Sequence, residues 1–530
     1  MATPKVSVLM PIFNTREQSL REAIESILDQ TFTDFELLIV NDSPQNTDLE
    51  HVVRSFTDPR IRYFCNDENI GLERSTNKLI SFALGEYVAP FDHDDISLPQ
   101  RLQAEVDYLD QNPAVGVVSA QFEVFGVENW TSENPISSDD IRQGLEQVSC
   151  ISHTTAMFRK SVLTDNHIAY EPEFFPAASY RILTRVALVS DVHNLPEVLL
   201  RYRMDGTNTS LQFADERSTA RERVRLSYIR HRRDIEQLAD LFSFDHVTCL
   251  LGRWYDNGYT RHYKATRNGD EFFIKASAES LANEYQMTSE LFAVDGTHFV
   301  EPVALHEGPV QYLVMRWMDG VNLEDFLSQS QPSVGAPRND ALFQDLKAIA
   351  DALAQADIVH RDIIPRNLLV CDGQLRLTDL YFAVHFNDYH EYDYVEHDIA
   401  LIGSLGESFA LGVCLWDDAY SLTRVAELIG GKQALKSPDV IHISDRIGER
   451  TITVDPKILM NNVRRFRNKS IVCATRAGQL EEQVTEKAST IAALQSEIES
   501  IRHSRSYRLG HAIGSPYRAL QGLFSGRTPH

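Results

Sequence analysis

The first 120 residues of this 530-residue chain alternate short hydrophobic runs with helical patterns of apolar residues. The predicted strands are 6–10, 35–40, 61–64 and 87–91, and the predicted helices are 16–30 and about 72–84. Strands that alternate with helices favour a parallel, doubly wound α/β sheet. Ligands of such sheets bind at the carboxyl ends of the strands.

Acidic residues follow two of these predicted strands. Asp42 follows the second strand, and residues 91–95 (Phe-Asp-His-Asp-Asp) end the fourth. Carboxylates this close repel one another unless a cation lies between them. Asp92 and Asp94, at positions i and i+2, can share one Mn²⁺ or Mg²⁺ that also binds a diphosphate. The alternative is a solvated acidic turn.

A second pattern of strands and helices begins near residue 245. The predicted strands are 272–275, 310–315 and 375–378, and the predicted helices are 279–293, 340–357 and much of 396–430. Residues 360–367 (His-Arg-Asp-Ile-Ile-Pro-Arg-Asn) follow one of the helices. Residues 416–421 (Trp-Asp-Asp-Ala-Tyr-Ser) suggest a packing element, and we assign them no chemistry.

Five polar residues of this second region supply the groups that phosphoryl transfer requires. A strand lysine holds phosphates, a helix glutamate holds the lysine, an aspartate orients the acceptor hydroxyl, and an asparagine and a second aspartate hold Mg²⁺. In chain order these residues are Lys275, Glu284, Asp362, Asn367 and Asp379. They predict an ATP site. Glu290 is an alternative partner for Lys275.

Composition narrows the class of protein. The net charge of −25 argues against nucleic-acid binding. Six scattered cysteines indicate reduced thiols. We expect no signal peptide, and no apolar run approaches the ~18 residues of a membrane span, so a cytoplasmic protein is predicted.

The C-terminal region carries two further patterns. A heptad pattern within 471–505 predicts a short coiled coil that forms a homo-oligomer; its apolar positions are Leu480, Val484, Ile491, Leu494, Ile498 and Ile501. The alternative is one amphipathic helix packed on the preceding domain. Residues 506–530 contain arginines but no acidic residue, which suggests peripheral contact with the inner membrane. Disorder until binding is the alternative there.

Residues 5–210 resemble a family 2 glycosyltransferase. The matching stretches are 8–14, 40–43, 69–77, 85–95 and 194–203. The resemblance implies a Rossmann-like GT-A fold that binds a UDP- or GDP-linked sugar. It implies that Pro11, Asp42 and Arg74 line the nucleotide pocket and that Asp92 and Asp94 hold metal and diphosphate. His153 falls on the acceptor side of the family's site, although a structural role for it is an equal alternative.

One departure from the family concerns the catalytic base. Inverting members carry an aspartate where this chain has Ser179, and a serine hydroxyl cannot take the acceptor proton at neutral pH. Three alternatives remain open. Glu171 or Glu173 could replace the base, the domain could bind the sugar nucleotide with little or no turnover, or the acceptor could be acidic enough to need little help.

Residues 245–430 resemble a small protein-kinase-like domain of the lipopolysaccharide-kinase type. Asp362 and Asn367 have the spacing of the kinase catalytic loop, and Asp379 follows a strand as the Asp-Phe-Gly aspartate does. The resemblance implies that Lys275 and Met318 bind ATP, that Asp362, Lys275 and Glu284 are catalytic, and that Asn367 and Asp379 hold Mg²⁺. Leu380 and Tyr381 replace the usual Phe-Gly, and Gly252 and Gly258 form only a weak glycine loop. A pseudokinase is the alternative.

The predicted architecture has four parts: a glycosyltransferase domain (1–240), an α+β kinase-like domain (241–470), a coiled coil (471–505) and a basic amphipathic tail (506–530). The predicted function is transfer of a sugar to a lipid-linked or growing bacterial surface glycan, with ATP-dependent phosphorylation of a sugar hydroxyl. Two alternatives are a glycan kinase whose first domain only binds substrate and a non-catalytic scaffold for polysaccharide assembly.

Overall fold

The computed structural model describes residues 3–204, 213–251, 260–329, 338–387 and 415–453. All of them belong to the first of two compact units, Met1–Val463. Gly252, Gly258, the predicted coiled coil and the basic tail lie outside the described residues. Among the helices that are described, none is long and apolar enough to cross a membrane.

The first domain follows the predicted alternation of strands and helices. Its strands are β1 (Val6–Ile12), β2 (Phe35–Asn41), β3 (Ile61–Cys65), β4 (Tyr87–Pro90), β5 (Ile96–Ser97), β6 (Val115–Gly126), β7 (Trp130–Thr131), β8 (Met157–Arg159) and β9 (Asp191–Met204). Its helices are α1 (Glu17–Leu28), α2 (Thr47–Arg54), α3 (Leu72–Phe82), α4 (Arg101–Gln111), α5 (Ser138–Gly144), α6 (Lys160–Asp165), α7 (Ala178–Val189) and α8 (Ala214–Phe242). The strands and helices predicted before residue 91 are therefore confirmed.

These strands form one mixed sheet in the order β3-β2-β1-β4-β8-β6-β9-β5, with β7 on β6. The prediction of a parallel sheet is confirmed for β3, β2, β1 and β4. The later strands, for which the sequence made no prediction of direction, are mixed: β8 runs antiparallel to both β4 and β6, whereas β6 and β9 are parallel. Local periodicity identifies a strand but does not fix the direction of its neighbour. The parallel half brings Asp42 and Asp92 to the same edge.

The second domain begins with an antiparallel sheet in the order β10-β11-β12-β14-β13 and continues with a mostly helical lobe. Its strands are β10 (His246–Leu250), β11 (Thr260–Arg267), β12 (Asp270–Ser277), β13 (Pro302–His306), β14 (Gln311–Arg316), β15 (Val321–Asn322), β16 (Ile358–Val359), β17 (Leu368–Cys371), β18 (Gln374–Leu377), β19 (Val384–His385), β20 (Leu415–Trp416) and β21 (Ile452–Thr453). Its helices are α9 (Ala282–Val294), α10 (Leu323–Gln329), α11 (Arg338–Gln355), α12 (Asp418–Gly430) and α13 (Pro438–Ser444).

Helix α8 connects the two domains through a shared hydrophobic core. On one side, Ala220 and Val224 belong to the same buried cluster as residues of α7. The cluster continues through Leu238 into side chains of β11, β12 and β14. Alternation along β12 places Ile274 in this core, while Lys275 points to the opposite face of the sheet. The back of the sheet that carries Lys275 is therefore covered by a helix that also packs on the first domain.

Two candidate active sites

Asp42 organises the first site at the carboxyl end of β2. Its buried carboxylate accepts hydrogen bonds from Asn66 Nδ2 at 2.7 Å and from the backbone N–H groups of Ile70 and Gly71, each at 2.9 Å. These bonds fix the loop that leads into α3. Pro11 lies buried in the neighbouring strand β1.

Arg74 lies on the first turns of α3. Its side chain is exposed, and its guanidinium donates to the carbonyl of Ile70 at 3.4 Å. Ile70 also donates its backbone N–H to Asp42, so Arg74 and Asp42 contact the same loop. An exposed guanidinium beside this loop is available to a phosphate or a nucleobase, which is the role that the resemblance implies.

The acidic turn after β4 combines burial with like charge. Burial and the neighbouring Asp94 together raise the pKa of Asp92 to about 7, against the opposing effect of Arg101. Asp95 is 1% exposed, and burial together with Asp92 and Asp94 holds the pKa of its carboxyl well above the ordinary value. Within the described residues, Asp95 Oδ2 has no hydrogen-bond partner. A divalent cation at this turn would offset the repulsion, so the donor set fits Mn²⁺ or Mg²⁺.

Arg203 supports this turn, a role that the sequence did not reveal. Its backbone N–H donates to Asp95 Oδ1 at 2.8 Å, and its Nε donates to the carbonyl of Asp94 at 2.7 Å. Its guanidinium also pairs with Glu22 on α1. The end of β9 therefore holds the acidic turn through the carboxylate of Asp95 and the carbonyl of Asp94.

Ser179 lies in the first turn of α7 and is half-buried. Of the two carboxylates that could replace the missing base, Glu171 is held by Arg181 at 3.3 Å and by Arg185. Glu173 is exposed, in a 3-10 turn just before α7. Because two arginines bind Glu171, its carboxylate is less available to accept a proton than that of the exposed Glu173.

His153 is bound by another side chain of the first domain. Its Nε2 lies 2.6 Å from the hydroxyl of Tyr170. Burial, with a contribution from Arg101, lowers the pKa of His153 to about 4, so the imidazole is neutral at pH 7. The contact fits the structural alternative for this histidine.

The second site is built around Lys275. Its ammonium lies 2.9 Å from Glu284 Oε2 on α9 and 2.8 Å from Asp379 Oδ1. Burial opposes the charged ammonium, but Asp379 and Glu284 outweigh it and raise the pKa of Lys275. Burial works against the Asp379 carboxylate as well, yet Lys275 beside it lowers its pKa. Glu290 contacts His385 at 3.1 Å, so Glu284 is the glutamate that pairs with Lys275.

Asp362 and Asn367 lie together in the loop between β16 and β17. Asn367 Nδ2 donates to the carbonyl of Asp362 at 2.9 Å and to its Oδ2 at 3.1 Å. Burial and the nearby Asp379 raise the pKa of Asp362 to about 7. In the part of the chain that is described, Asp362 Oδ1 is buried without a hydrogen-bond partner. An acceptor hydroxyl could satisfy that oxygen.

Asp418 anchors this loop, although the sequence predicted only packing for its segment. Its Oδ2 accepts from the backbone N–H of His360 at 2.6 Å, and its Oδ1 accepts from that of Arg361 at 3.2 Å. His360 in turn accepts from the N–H of Asp362 at 3.2 Å and contacts the carbonyl of Thr378 at 3.0 Å. Asp418 therefore fixes the backbone that presents Asp362.

Met318 lies after β14, on the segment predicted to be the hinge. It is half-buried and packs against the cluster formed by Leu281, Val300, Leu313 and Met315. Leu313 and Met315 on β14 point to the same face of the sheet as Lys275 on the neighbouring strand β12. The position is suited to contact a nucleobase.

The two candidate metal sites contain few protein ligands. Across the described ranges, no group of three or more His, Cys, Asp or Glu side chains is arranged to hold a metal ion. The first site offers the pair Asp92 and Asp94, and the second offers Asp379 with the amide of Asn367. Mg²⁺ in phosphate-handling sites is commonly bound by one or two carboxylates together with substrate phosphates and waters, which both sets allow.

Comparisons with known proteins identify both domains. Residues 7–166 match the family model "Glycosyl transferase family 2", and residues 261–400 match "Protein tyrosine and serine/threonine kinase". Residues 7–166 therefore belong to a family 2 glycosyltransferase domain with a mixed α/β sheet, and residues 261–400 to a protein-kinase-like domain. The resemblances to family 2 glycosyltransferases and to protein kinases are confirmed, and the lipopolysaccharide-kinase type stays a prediction.

Individual relatives match the N-terminal part. An uncharacterized glycosyltransferase of Haemophilus influenzae is 27% identical over 42% of this chain and 72% of its own length. The amylovoran biosynthesis glycosyltransferase AmsE of Erwinia amylovora is 28% identical over 37% of this chain and 75% of its own. Across six curated relatives, the matched part spans from 22% to 75% of the relative's length.

Solved structures also match this part of the chain. The crystal structure of S. aureus TarS 1–349 in complex with UDP is 19% identical, with a TM-score of 0.35, and the match covers 46% of this chain and 72% of that one.

Proposed function

We propose that the first domain transfers a sugar from a UDP- or GDP-linked donor to a lipid-linked or growing bacterial surface glycan, with inversion at the anomeric carbon. The observation that carries this proposal is the acidic turn. Asp92 and Asp94 lie at the same sheet edge as Asp42, and the turn is buried enough that a cation would stabilise it. The name of the relative AmsE, a glycosyltransferase of amylovoran biosynthesis, supports the class of product.

Each residue has a distinct role in this proposal. Asp42 and Pro11 shape the nucleotide side of the pocket, and Arg74 lies beside the loop that Asp42 fixes. Asp92 and Asp94 would hold Mn²⁺ or Mg²⁺, which neutralises the charge of the diphosphate leaving group. Arg203 keeps the turn in place through the carbonyl of Asp94 and the carboxylate of Asp95. Glu173 is the exposed carboxylate nearest in sequence to Ser179 that could accept the acceptor proton.

We further propose that the kinase-like domain phosphorylates a sugar hydroxyl with ATP. Lys275 would bind the nucleotide phosphates, and Glu284 keeps its ammonium in place at 2.9 Å. Asp362, with a buried oxygen that lacks a partner among the described residues, would accept the proton of the hydroxyl. Asn367 and Asp379 would hold Mg²⁺.

A second candidate is a glycan kinase whose first domain only binds its substrate. Ser179 favours it, because a hydroxyl in the position of the family's base cannot take the acceptor proton. Under this alternative the acidic turn still binds a nucleotide sugar, but no leaving group is released.

Cytoplasmic location, self-association through 471–505 and contact of 506–530 with the inner membrane belong to the same proposal. The heptad pattern supports self-association, and the arginine-rich, acid-free tail supports contact with the membrane. Both segments lie beyond the described residues.

The first experiment measures UDP or GDP release, with Mn²⁺, from a panel of nucleotide sugars. The variants are wild type, Asp94→Ala and the control Asp139→Ala, whose carboxylate is 98% exposed. A working transferase is supported if wild type and Asp139→Ala release the nucleotide and Asp94→Ala does not. Binding without release in the wild type supports the second candidate. Release that is unaffected by Asp94→Ala contradicts the assignment of the acidic turn.

The kinase activity is tested separately, by transfer of labelled phosphate from ATP to a purified glycan acceptor. Asp362→Ala should abolish transfer while Mg²⁺-ATP still binds. Asp445→Ala, which changes an exposed residue after α13, serves as the control. Equal transfer by Asp362→Ala and wild type would rule out the proposed base.

A further inference from the structure

Tyr381 occupies an unusual place in the second site. It stands two residues after Asp379, where the kinase pattern has a glycine that could make no side-chain contact. Its ring lies over the ammonium of Lys275, 4.9 Å from ring centroid to Nζ. Its hydroxyl donates to Glu279 Oε2 at 2.5 Å, in the loop between β12 and α9.

The contacts of Tyr381 complete the surroundings of the lysine. The three N–H groups of Lys275 face Glu284 Oε1 at 3.2 Å, Glu284 Oε2 at 2.9 Å and Asp379 Oδ1 at 2.8 Å. The aromatic ring lies close to the same ammonium. A cation that rests against a ring face loses freedom to move, and the contact strengthens when water is excluded. Tyr381 also packs against the same apolar cluster as Met318.

Tyr381 is the first of three residues, at every second position of the chain, that contact α9 or the loop before it. The carbonyl of Ala383 accepts from Asn283 Nδ2 at 2.9 Å, and His385 contacts Glu290 at 3.1 Å. We call these contacts the clasp; its members are Tyr381, Ala383 and His385 on one side and Glu279, Asn283 and Glu290 on the other. Because Glu284 belongs to α9, the clasp holds the helix where its glutamate reaches Lys275.

We propose that Tyr381 is a positioning residue of the kinase-like site, whose ring fixes the Lys275 ammonium for the phosphates of ATP. This inference rests on the proposed kinase function. An aromatic ring is required for the contact with the ammonium, whereas any apolar side chain of similar size could fill the space. Phenylalanine and leucine at position 381 therefore separate the two roles.

The experiment uses the full chain and measures Mg²⁺-ATP affinity, the split between kcat and KM for ATP, and labelling of Lys275 by an amine-reactive acyl phosphate of ATP. Tyr381→Leu should weaken ATP binding about tenfold and slow labelling of Lys275 to a similar extent, because the cation–ring contact is lost. Tyr381→Phe should stay within about threefold of wild type in both measurements, because the ring remains. Tyr108→Leu, a half-buried tyrosine of the first domain, is the control for folding.

Each outcome decides the proposal. Equal affinity and labelling in wild type and Tyr381→Leu overturn it, and so do equal losses in the Leu and Phe variants, which would mean that the ring face is not used. The kinase function is tested in the same assay by Lys275→Ala. If the wild type binds no Mg²⁺-ATP and Lys275→Ala behaves like it, both proposals fall. If Lys275→Ala loses binding but the Tyr381 variants match wild type, only the role of Tyr381 falls.

Discussion

Asp234 Oδ2 on α8 lies 2.5 Å from Arg261 Nε on β11. Both residues are buried, and the hydroxyls of Tyr263 and Tyr312 donate to the same carboxylate at 2.6 Å and 3.0 Å. The pair joins the helix that packs on the glycosyltransferase domain to the sheet that carries Lys275. A buried ion pair with three donors on one carboxylate leaves neither charge uncompensated.

Asp234→Asn should destabilise the protein by about 3–5 kcal/mol, because Arg261 then keeps a buried charge without its counter-charge. Chemical denaturation measures the loss. Asp240→Asn, an exposed residue of the same helix, is the control and should change the free energy of unfolding by no more than about 0.5 kcal/mol. Equal stability of the two variants would show that the network contributes little.

Ser179→Asp should raise glycosyl transfer by about 10²-fold if this position is a lost base. The site suits a carboxylate, because it lies in the first turn of α7, where the helix dipole favours negative charge. Initial rates with a purified acceptor measure the gain. The control Ser179→Asn introduces a side chain of the same shape as aspartate but without a basic group. A gain in both variants would argue against base catalysis. No gain in either would contradict the assignment of Ser179 to the position of the family's base.

Asp418→Asn should lower kcat for phosphoryl transfer by about 10²-fold with little change in ATP affinity, because displacement of the loop that carries Asp362 misaligns the acceptor. One amide oxygen cannot accept from both His360 and Arg361 in the geometry of the carboxylate. Steady-state kinetics and direct ATP binding measure the two effects. Loss of ATP binding in step with kcat would point instead to general unfolding of the lobe.

The phosphoryl transfer rate should depend on pH through Asp362. Burial and Asp379 raise its pKa to about 7, and only the ionised carboxylate can accept a proton. We therefore expect kcat/KM to rise with pH and to level off above about 7, since this parameter reports the free enzyme. A flat profile between about pH 5.5 and 8.5, with the fold intact by circular dichroism, would exclude Asp362 as the base.

His298 should make stability depend on pH. Hydrogen bonding to Asp345 and Asp295 raises its pKa against the effect of burial. A raised pKa in the folded state gives stabilisation that is fully present below the unfolded value of about 6.5 and is lost as pH rises through the folded value. The difference in unfolding free energy between wild type and His298→Asn should therefore shrink above about pH 6.5. Asp345→Asn should remove part of the same dependence, and a pH-independent difference would contradict the assignment.

The sequence predicted candidate residues for the two sites, but it did not predict which neighbours they contact. Lys275, Asp362 and Asp379 follow from position at strand ends and in a loop of fixed spacing, and the structure brings Lys275 and Asp379 together. Whether Glu284 or Glu290 pairs with Lys275 could not be decided from the sequence, since both lie on one helix. The orientation of that helix against β12 brings Glu284 to Lys275.

By itself, the sequence determined the types of the two domains and supplied candidate site residues, because strand and helix periods and short motifs are local properties. Only the tertiary structure decided that Asp418 anchors His360, which is 58 residues away, and that β8 runs antiparallel to β4. It also decided that α8 is shared by both domains. Such contacts depend on how elements distant in sequence pack together. Asp418 accepts its two hydrogen bonds only because the fold brings its carboxylate to the backbone N–H groups of His360 and Arg361.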